Sequence, residues 1–189
     1  MLSLFLFMSV AAGDATPVFA QARPVWPRGR ELDMNVTAGF RAVIDAPASG
    51  PVHLRIAAAT MYRAFVNGVF LAHGPARGPH GWFRVDDWDI AAQLRPGPNV
   101  VAIEVAGCNV NSYYVIDQPS FLQAEIVAGD TVLAATGNAA RPFSGRVLAD
   151  RLQKTGRYSF QRAFTEVYRL QPGCDTWRKD PAAAFTPEP

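Results

Sequence analysis

Four acidic residues are the densest group in this sequence that could do chemistry. Asp86, Asp87 and Asp89 lie close together, and Glu104 follows in a later apolar segment. Hydrolysis of a glycosidic bond requires two carboxyl groups about 5 to 9.5 Å apart. In an extended strand Asp87 and Asp89 share one face while Asp86 points to the other. The pattern predicts no catalytic residue and no cofactor. It favours solvated or turn-capping carboxylates, with calcium or another hard cation as the alternative.

A loop rich in glycine and proline carries a second group of candidate residues. Residues 73–81 read HGPARGPHG, a composition that excludes regular secondary structure, and Trp82 follows directly. Arg77, His80 and Trp82 offer hydrogen-bond donors and an aromatic face, and loops on a rigid scaffold often carry binding function. Three interpretations stay open for this loop: contact with a sugar, docking onto a partner domain, and simple cover for a sheet edge.

Two adjacent tyrosines form a third candidate group. Tyr113 and Tyr114 follow a polar stretch, residues 109–112, that comes after a strand-like segment. Their rings suit a platform on which a carbohydrate stacks, although burial as loop anchors is the more common role of adjacent tyrosines. We retain both as candidate carbohydrate-binding or domain-docking residues.

The sequence gives no evidence for zinc binding by histidine or for a serine nucleophile. His53, His73 and His80 lack the spacing of zinc ligands, and no cysteine or carboxylate completes a cluster around them. Ser112 and Ser120 have no histidine or acid at a spacing typical of an activated nucleophile. The histidines therefore indicate no zinc site, the serines indicate no covalent catalysis, and no residue is assigned as a metal ligand.

The elements that must position these groups are short strands. Residues 52–56 alternate between apolar and polar side chains, which is the period of a half-buried strand. Asn67-Gly68 interrupts an apolar, aromatic run and is the dipeptide that best fits a type I′ hairpin turn. Residues 121–127 and 132–136 flank a glycine and predict a second hairpin. A further strand-like pattern covers residues 158–170.

The whole pattern predicts an all-β protein. The 189 residues include fifteen glycines and fifteen prolines, and they form many short strands separated by turns, without a convincing helix. This favours an antiparallel jelly-roll β-sandwich of the galactose-binding type. We expect the sandwich to occupy residues 23–170 and residues 171–189, which lose all periodicity, to form a linker or tail.

The first 22 residues predict export. Residues 2–12 are apolar but too short for a membrane-spanning helix, and Ala20-Gln21-Ala22 has the small-x-small pattern that a signal peptidase reads, although no basic residue precedes the apolar run. We expect residues 1–22 to be a signal peptide and the protein to be periplasmic or extracellular. The net charge of +2 comes from scattered residues and gives no support to nucleic-acid binding.

The two cysteines leave their pairing open. Cys108 and Cys174 are the two cysteines of the sequence. In an exported protein they could close a loop with a stabilisation of about 4 kcal/mol. Two unpaired thiols are an equally acceptable reading of their positions.

Several segments together resemble the N-terminal β-sandwich domain of bacterial α-L-rhamnosidases. The resemblance rests on residues 61–68 (MYRAFVNG), 74–78 (GPARG), 88–90 (WDI), 94–102 (LRPGPNVVA) and 161–168 (QRAFTEVY). It runs from about residue 26 to residue 168. The motifs are moderately specific, since similar ones recur in other jelly rolls that accompany glycosidases.

The resemblance implies a role without catalysis. In these glycoside hydrolases the catalytic acids lie in a large α-helical barrel that follows the sandwich domains, and this sequence stops before such a barrel. We therefore expect a secreted accessory domain that packs against a catalytic domain of the same or a neighbouring polypeptide, or extends its substrate side. The alternative is a stand-alone carbohydrate-binding module for rhamnose-containing glycans.

Overall fold

The computed structural model describes residues 19–79 and 81–188, and these residues form two facing antiparallel sheets. The strands are β1 (Val36–Asp45), β2 (Val52–Ala59), β3 (Met61–Val66), β4 (Val69–Gly74), β5 (Asp86–Asp89), β6 (Pro98–Gly107), β7 (Phe121–Ala128), β8 (Thr131–Ala135) and β9 (Ser144–Val147). Two single 3-10 turns, Ala91–Gln93 and Thr176–Arg178, are the helical elements of these residues. The predicted all-β class is confirmed.

The strand order explains how distant parts of the sequence meet. One sheet has five strands in the order β4-β3-β6-β1-β9, and the other has four in the order β5-β2-β7-β8. Neighbouring strands pair antiparallel, as in β1 with β6 and β2 with β7. This arrangement confirms the predicted antiparallel sandwich.

The core between the sheets is built from alternate residues of the central strands. Phe40 of β1, Leu54 of β2 and Ile103 of β6 are buried together with Ile126 of β7. Full burial of a side chain of this size stabilises the fold by about 1.5 to 3 kcal/mol. The alternation recognised in residues 52–56 therefore reports the inward face of β2.

Both predicted hairpins are confirmed. Asn67 and Gly68 have φ values of 52° and 81°, the positive values that a type I′ turn requires, and Val66 pairs with Val69 across the turn. The second hairpin joins β7 to β8 through a turn in which Gly129 has a φ of 56°. In both turns the local sequence fixes the register of the flanking strands.

The prediction of a strand over residues 158–170 is wrong. This segment forms only isolated bridges, Arg151 with Tyr168 and Arg157 with Phe164. It lies outside both sheets, so no neighbouring strand offers a continuous hydrogen-bond ladder. Strand β1, in contrast, was not recognised in the sequence.

The C-terminal residues pack on the outer face of the five-stranded sheet. Trp177 is 4% exposed and lies against Leu148, and Phe185 packs beside it. Gly39 of β1 makes room for this contact, because a Cβ atom there would lie 2.7 Å from Leu148 and 2.8 Å from Trp177. The border between sandwich and linker at residue 171 stays a prediction, but the segment beyond it covers the sheet.

A buried arginine ties the same segment to β1. The Arg41 guanidinium donates hydrogen bonds of 2.7 to 2.9 Å to the backbone carbonyls of Asp180, Pro181 and Ala183. Burial lowers the pKa of Arg41 from its usual value. Loss of the C-terminal segment would remove all three acceptors of this cation.

We predict that Trp177→Ala destabilises the domain by about 3 to 5 kcal/mol, because it empties a closely packed site. Urea unfolding followed by tryptophan fluorescence or circular dichroism measures the change. The matched control is Trp82→Ala, since Trp82 is 76% exposed and its loss should change stability by no more than about 0.5 kcal/mol. Equal unfolding midpoints for the two variants would show that the C-terminal segment is not part of the cooperative fold.

A buried carboxylate holds the N-terminal end of the described chain. The side chain of Glu125 in β7 is fully buried, and its oxygens accept hydrogen bonds of 2.9 to 3.2 Å from the backbone N–H groups of Ala20, Gln21 and Ala22. The Arg55 guanidinium lies 3.5 Å away. Residues 20–22 fall within the predicted signal peptide, residues 1–22. Residues 1–18 lie outside the described part of the chain.

This contact predicts different stabilities for two truncated chains. A chain of residues 23–189 should be less stable than one of residues 19–189 by about 3 kcal/mol, since Glu125 loses three charge-assisted hydrogen bonds from backbone N–H groups. Urea unfolding of both chains gives the difference. Glu125→Gln should narrow this difference in stability, because hydrogen bonds to a neutral amide are weaker than those to a carboxylate. Equal stability of the two chains would contradict this role of Glu125.

Candidate functional site

Two loops and the start of β3 surround a cleft with a volume of about 580 Å³. One loop follows β4 and the other follows β6. The aromatic and basic residues that line the cleft are Arg77, Trp82, Phe83, Arg84, Tyr113 and Tyr114. Four of the five residues singled out from the sequence, Arg77, Trp82, Tyr113 and Tyr114, thus meet in this aromatic–basic cleft. The fifth, His80, lies outside the described residues.

The aromatic rings of the cleft are open to solvent. Trp82 is 76% exposed and Tyr113 is 72% exposed. The ring centroid of Tyr113 lies 6.4 Å from that of Phe160, and Phe83 meets Phe121 edge-on at 4.8 Å. Neither tyrosine of the pair is a buried loop anchor. The rings leave their faces free for an apolar or saccharide surface.

Two arginines supply the charge of the cleft. The guanidinium of Arg77 lies over the Tyr114 ring at 4.6 Å from the centroid, a cation–π contact. Arg84 donates from Nε to Asp86 Oδ1 at 2.9 Å. Arg84 was missed in the sequence, although its spacing of two from Trp82 places both on one side of an extended segment.

A buried hydrogen-bond network supports the loop that carries Arg77 and Trp82. Tyr62 donates to Asp86 at 2.6 Å, and the Trp88 indole donates to the Tyr62 hydroxyl at 2.9 Å. Gly74 begins the loop where there is no space for a side chain, since a Cβ atom would lie 2.5 Å from Asp86 and 2.7 Å from Tyr62. Burial, and then the bond to Asp86, raise the pKa of Tyr62.

The raised pKa of Tyr62 predicts a loss of stability at high pH. The folded state favours the protonated phenol, so its contribution is fully present below the unfolded pKa of about 10 and declines as pH rises above it. Urea unfolding at pH 9, 10 and 11 should show a steeper fall for the wild type than for Tyr62→Phe. Tyr158→Phe, at a highly exposed position, should follow the wild type. Parallel curves for all three proteins would contradict the role of Tyr62.

Each member of the acidic group has a structural partner. Asp87 Oδ1 lies 2.7 Å from His53 Nδ1, and Asp89 accepts a hydrogen bond from the backbone of Ala91 at the next turn. Glu104 bridges Arg63 at 2.7 Å and Arg178 at 3.0 Å. Among the described residues no three His, Cys, Asp or Glu side chains converge as a metal site would require.

The cysteines are not bonded to each other. Cys108 is buried, Cys174 is partly exposed, and both thiols are free. Burial raises the pKa of the Cys108 thiol, which suppresses the reactive thiolate.

Asn67 and Asn99, from two of the motifs that carried the resemblance, are joined by hydrogen bonds. Asn67 of the hairpin turn donates to Asn99 Oδ1 at 2.8 Å and accepts from the backbone N–H of Val100. Asn99 is fully buried and donates to the carbonyls of Arg95 and Gly97 at 2.7 Å. These bonds join two turns that are far apart in sequence. The motifs of residues 61–68 and 94–102 therefore specify the fold rather than a binding site.

Comparison with known proteins finds similar structures among rhamnosidases. No family model and no curated protein matches the chain. Among solved structures, the GH78 family rhamnosidase of Bacillus sp. GL1 is 36% identical, with a TM-score of 0.72, over 79% of this chain and 16% of that one. The α-L-rhamnosidases of Streptomyces avermitilis and Aspergillus terreus share the fold, with identities of 16% and 17% and TM-scores of 0.50 and 0.55. They match over 84% and 80% of this chain and over 15% and 18% of their own.

The match concerns a small part of long enzymes. The chain spans about one sixth of the length of the Bacillus relative. Among the described residues, no helix is long and apolar enough to cross a membrane. By its 36% identity to the Bacillus enzyme and by its sandwich fold, the chain is similar to GH78 α-L-rhamnosidases and is consistent with an N-terminal domain of such an enzyme.

Proposed function

We propose that this chain is a non-catalytic accessory domain of a GH78-type α-L-rhamnosidase. It packs against the catalytic domain of the same or a neighbouring polypeptide, or extends the substrate side of that domain. The observation that carries the proposal is the 36% identity with a rhamnosidase of which the chain spans only 16%. A segment of that size is one sandwich domain rather than a complete glycosidase.

The carboxylates support a role without catalysis. A glycosidase needs one carboxyl group that can protonate the leaving group and a second that acts as base or nucleophile. Glu104 is held between two arginines, and Asp86 is held by Arg84 and Tyr62. Asp89 caps a turn at the sheet edge. None of these groups faces another carboxylate across the aromatic–basic cleft.

An exposed aromatic surface supports docking onto a further domain. Tyr158 is 89% exposed and Phe160 is 73% exposed, and the Phe160 ring approaches Tyr113 at the edge of the cleft. Arg157 holds this loop by donating to the backbone carbonyls of Asn111 and Arg162. Exposed aromatic groups of this kind mark interaction surfaces.

The proposal also includes export of the protein. It is supported by the apolar N-terminal sequence, residues 2–12.

A second function is favoured by the cleft itself. Its exposed aromatic rings and its arginines suit a stand-alone carbohydrate-binding module, since aromatic faces pack on sugar rings while polar groups fix their orientation. The two functions differ in what the isolated chain does. A module binds glycans by itself, whereas a docking domain does not.

We predict that the chain alone does not release the aglycone from an aryl α-L-rhamnoside. The measurement is absorbance of the released phenol at a chain concentration high enough to detect slow turnover. Turnover that is lost in Asp89→Asn or Glu104→Gln, with circular dichroism unchanged, would overturn the non-catalytic role. The accessory role also expects the genomic sequence downstream of codon 189, or a neighbouring frame, to encode an α-helical barrel, and its absence from both would contradict that role.

A further inference from the structure

We propose that the aromatic–basic cleft binds a saccharide that carries a carboxylate group, that is, a glycan containing uronic acid. This proposal rests on the second function above and goes beyond it by naming the charge of the ligand. Its basis is the combination of one uncompensated arginine with free aromatic faces in a single cleft.

The charge of the cleft is positive. Its described lining residues include Arg77 and Arg84 but no aspartate or glutamate. Arg84 is partly neutralised, because its Nε donates to Asp86 at 2.9 Å. Arg77 has no ion pair or hydrogen bond with any described residue and touches the Tyr114 ring instead. Arg77 is therefore the uncompensated cation of the described lining.

The position of the Arg77 guanidinium over the Tyr114 ring suits the binding of a planar anion. A guanidinium that lies over an aromatic ring presents its N–H groups outward along its edge, and this edge matches the two oxygens of a carboxylate. The contact with Tyr114 also reduces the conformational freedom that binding would otherwise remove. A carboxylate, the anionic group that sugars carry as uronic acids, matches this edge with its two oxygens.

The aromatic residues show that the ligand is more than a small anion. Trp82 and Tyr113 keep large exposed faces in the same cleft as Arg77. An inorganic ion would leave these faces in water, whereas a sugar ring would cover them with its C–H groups. The cleft volume of about 580 Å³ falls within the range of about 300 to 1,000 Å³ that is typical of ligand sites. A sugar ring with an attached carboxylate satisfies both features.

The experiment compares matched glycans with the full 189-residue chain by isothermal titration calorimetry. One pair is an oligosaccharide of β-linked glucose and its form oxidised at C6 to glucuronate. The other is an oligosaccharide of galactose and the corresponding galacturonate of equal length. We expect at least one uronate to bind about tenfold more tightly than its neutral partner, and this preference to weaken as salt is added, because added ions screen the charge.

Three variants separate charge from stacking. Arg77→Gln should abolish the preference for the uronate, while Arg95→Gln, an exposed arginine outside the cleft lining, should leave it unchanged. Trp82→Ala should weaken the binding of both members of a pair. Circular dichroism and urea unfolding show whether each variant is folded, and Trp82→Ala is expected to retain its stability because that ring is exposed.

The outcomes separate the preference for an acidic glycan from the carbohydrate-binding module, on which it rests, and from the accessory role. Binding of neutral and acidic partners with equal affinity, unchanged by Arg77→Gln, would overturn the charge preference but support a carbohydrate-binding module. No binding to any of the four glycans would overturn the charge preference, while the module itself is decided by the binding of a rhamnose-containing glycan. The accessory role would survive that result, since it is decided by the turnover assay and the neighbouring reading frames.

Discussion

The fold depends on a central strand that is buried on both faces. Residues 99–105 of β6 are all buried, so one face packs between the sheets and the other must be covered from outside. Val101, Ile103 and Val105 face the other sheet, whereas Val100 and Ala102 lie beneath Trp177 of the C-terminal segment. Gly39 and Arg41 on the neighbouring strand β1 receive that segment. The sheet and the C-terminal segment that covers it are therefore packed together as one body.

The charged residues on the covered sheet face and those in the aromatic–basic cleft differ in whether they have a partner of opposite charge. The outer face of the five-stranded sheet contains Glu104, which is satisfied by Arg63 and Arg178, so the charges there offset one another. In the aromatic–basic cleft the interaction of Arg77 with a described residue is the cation–π contact with the Tyr114 ring. The charge of a buried carboxylate between two guanidinium groups is compensated within the fold, whereas an exposed cation on an aromatic ring remains available to a ligand. The cleft rather than the acidic group is therefore the candidate site.

Local patterns predicted the turns and much of the fold class, and particular residues show why. Asn67-Gly68 fixes a hairpin because few other dipeptides adopt positive φ at two successive positions, and the alternation in β2 follows from the geometry of a strand with one buried face. Strand β1 was not recognised because small residues such as Ala38 and Gly39 weaken the contrast between its two faces in the sequence. The aromatic pattern of residues 158–170 misled because side-chain pattern alone cannot supply a pairing partner.

The sequence by itself determined the hairpins, the antiparallel β class and the residue types from which a site could be built. Only the tertiary structure decided that Arg77 and Trp82, from the loop after β4, meet Tyr113 and Tyr114, from the loop after β6. It also decided that the aperiodic C-terminal segment covers the sheet and that residues 20–22 are held by Glu125. The physical reason is that backbone preferences act over a few residues. Contacts between distant segments depend on strand order and on which surface remains to be covered.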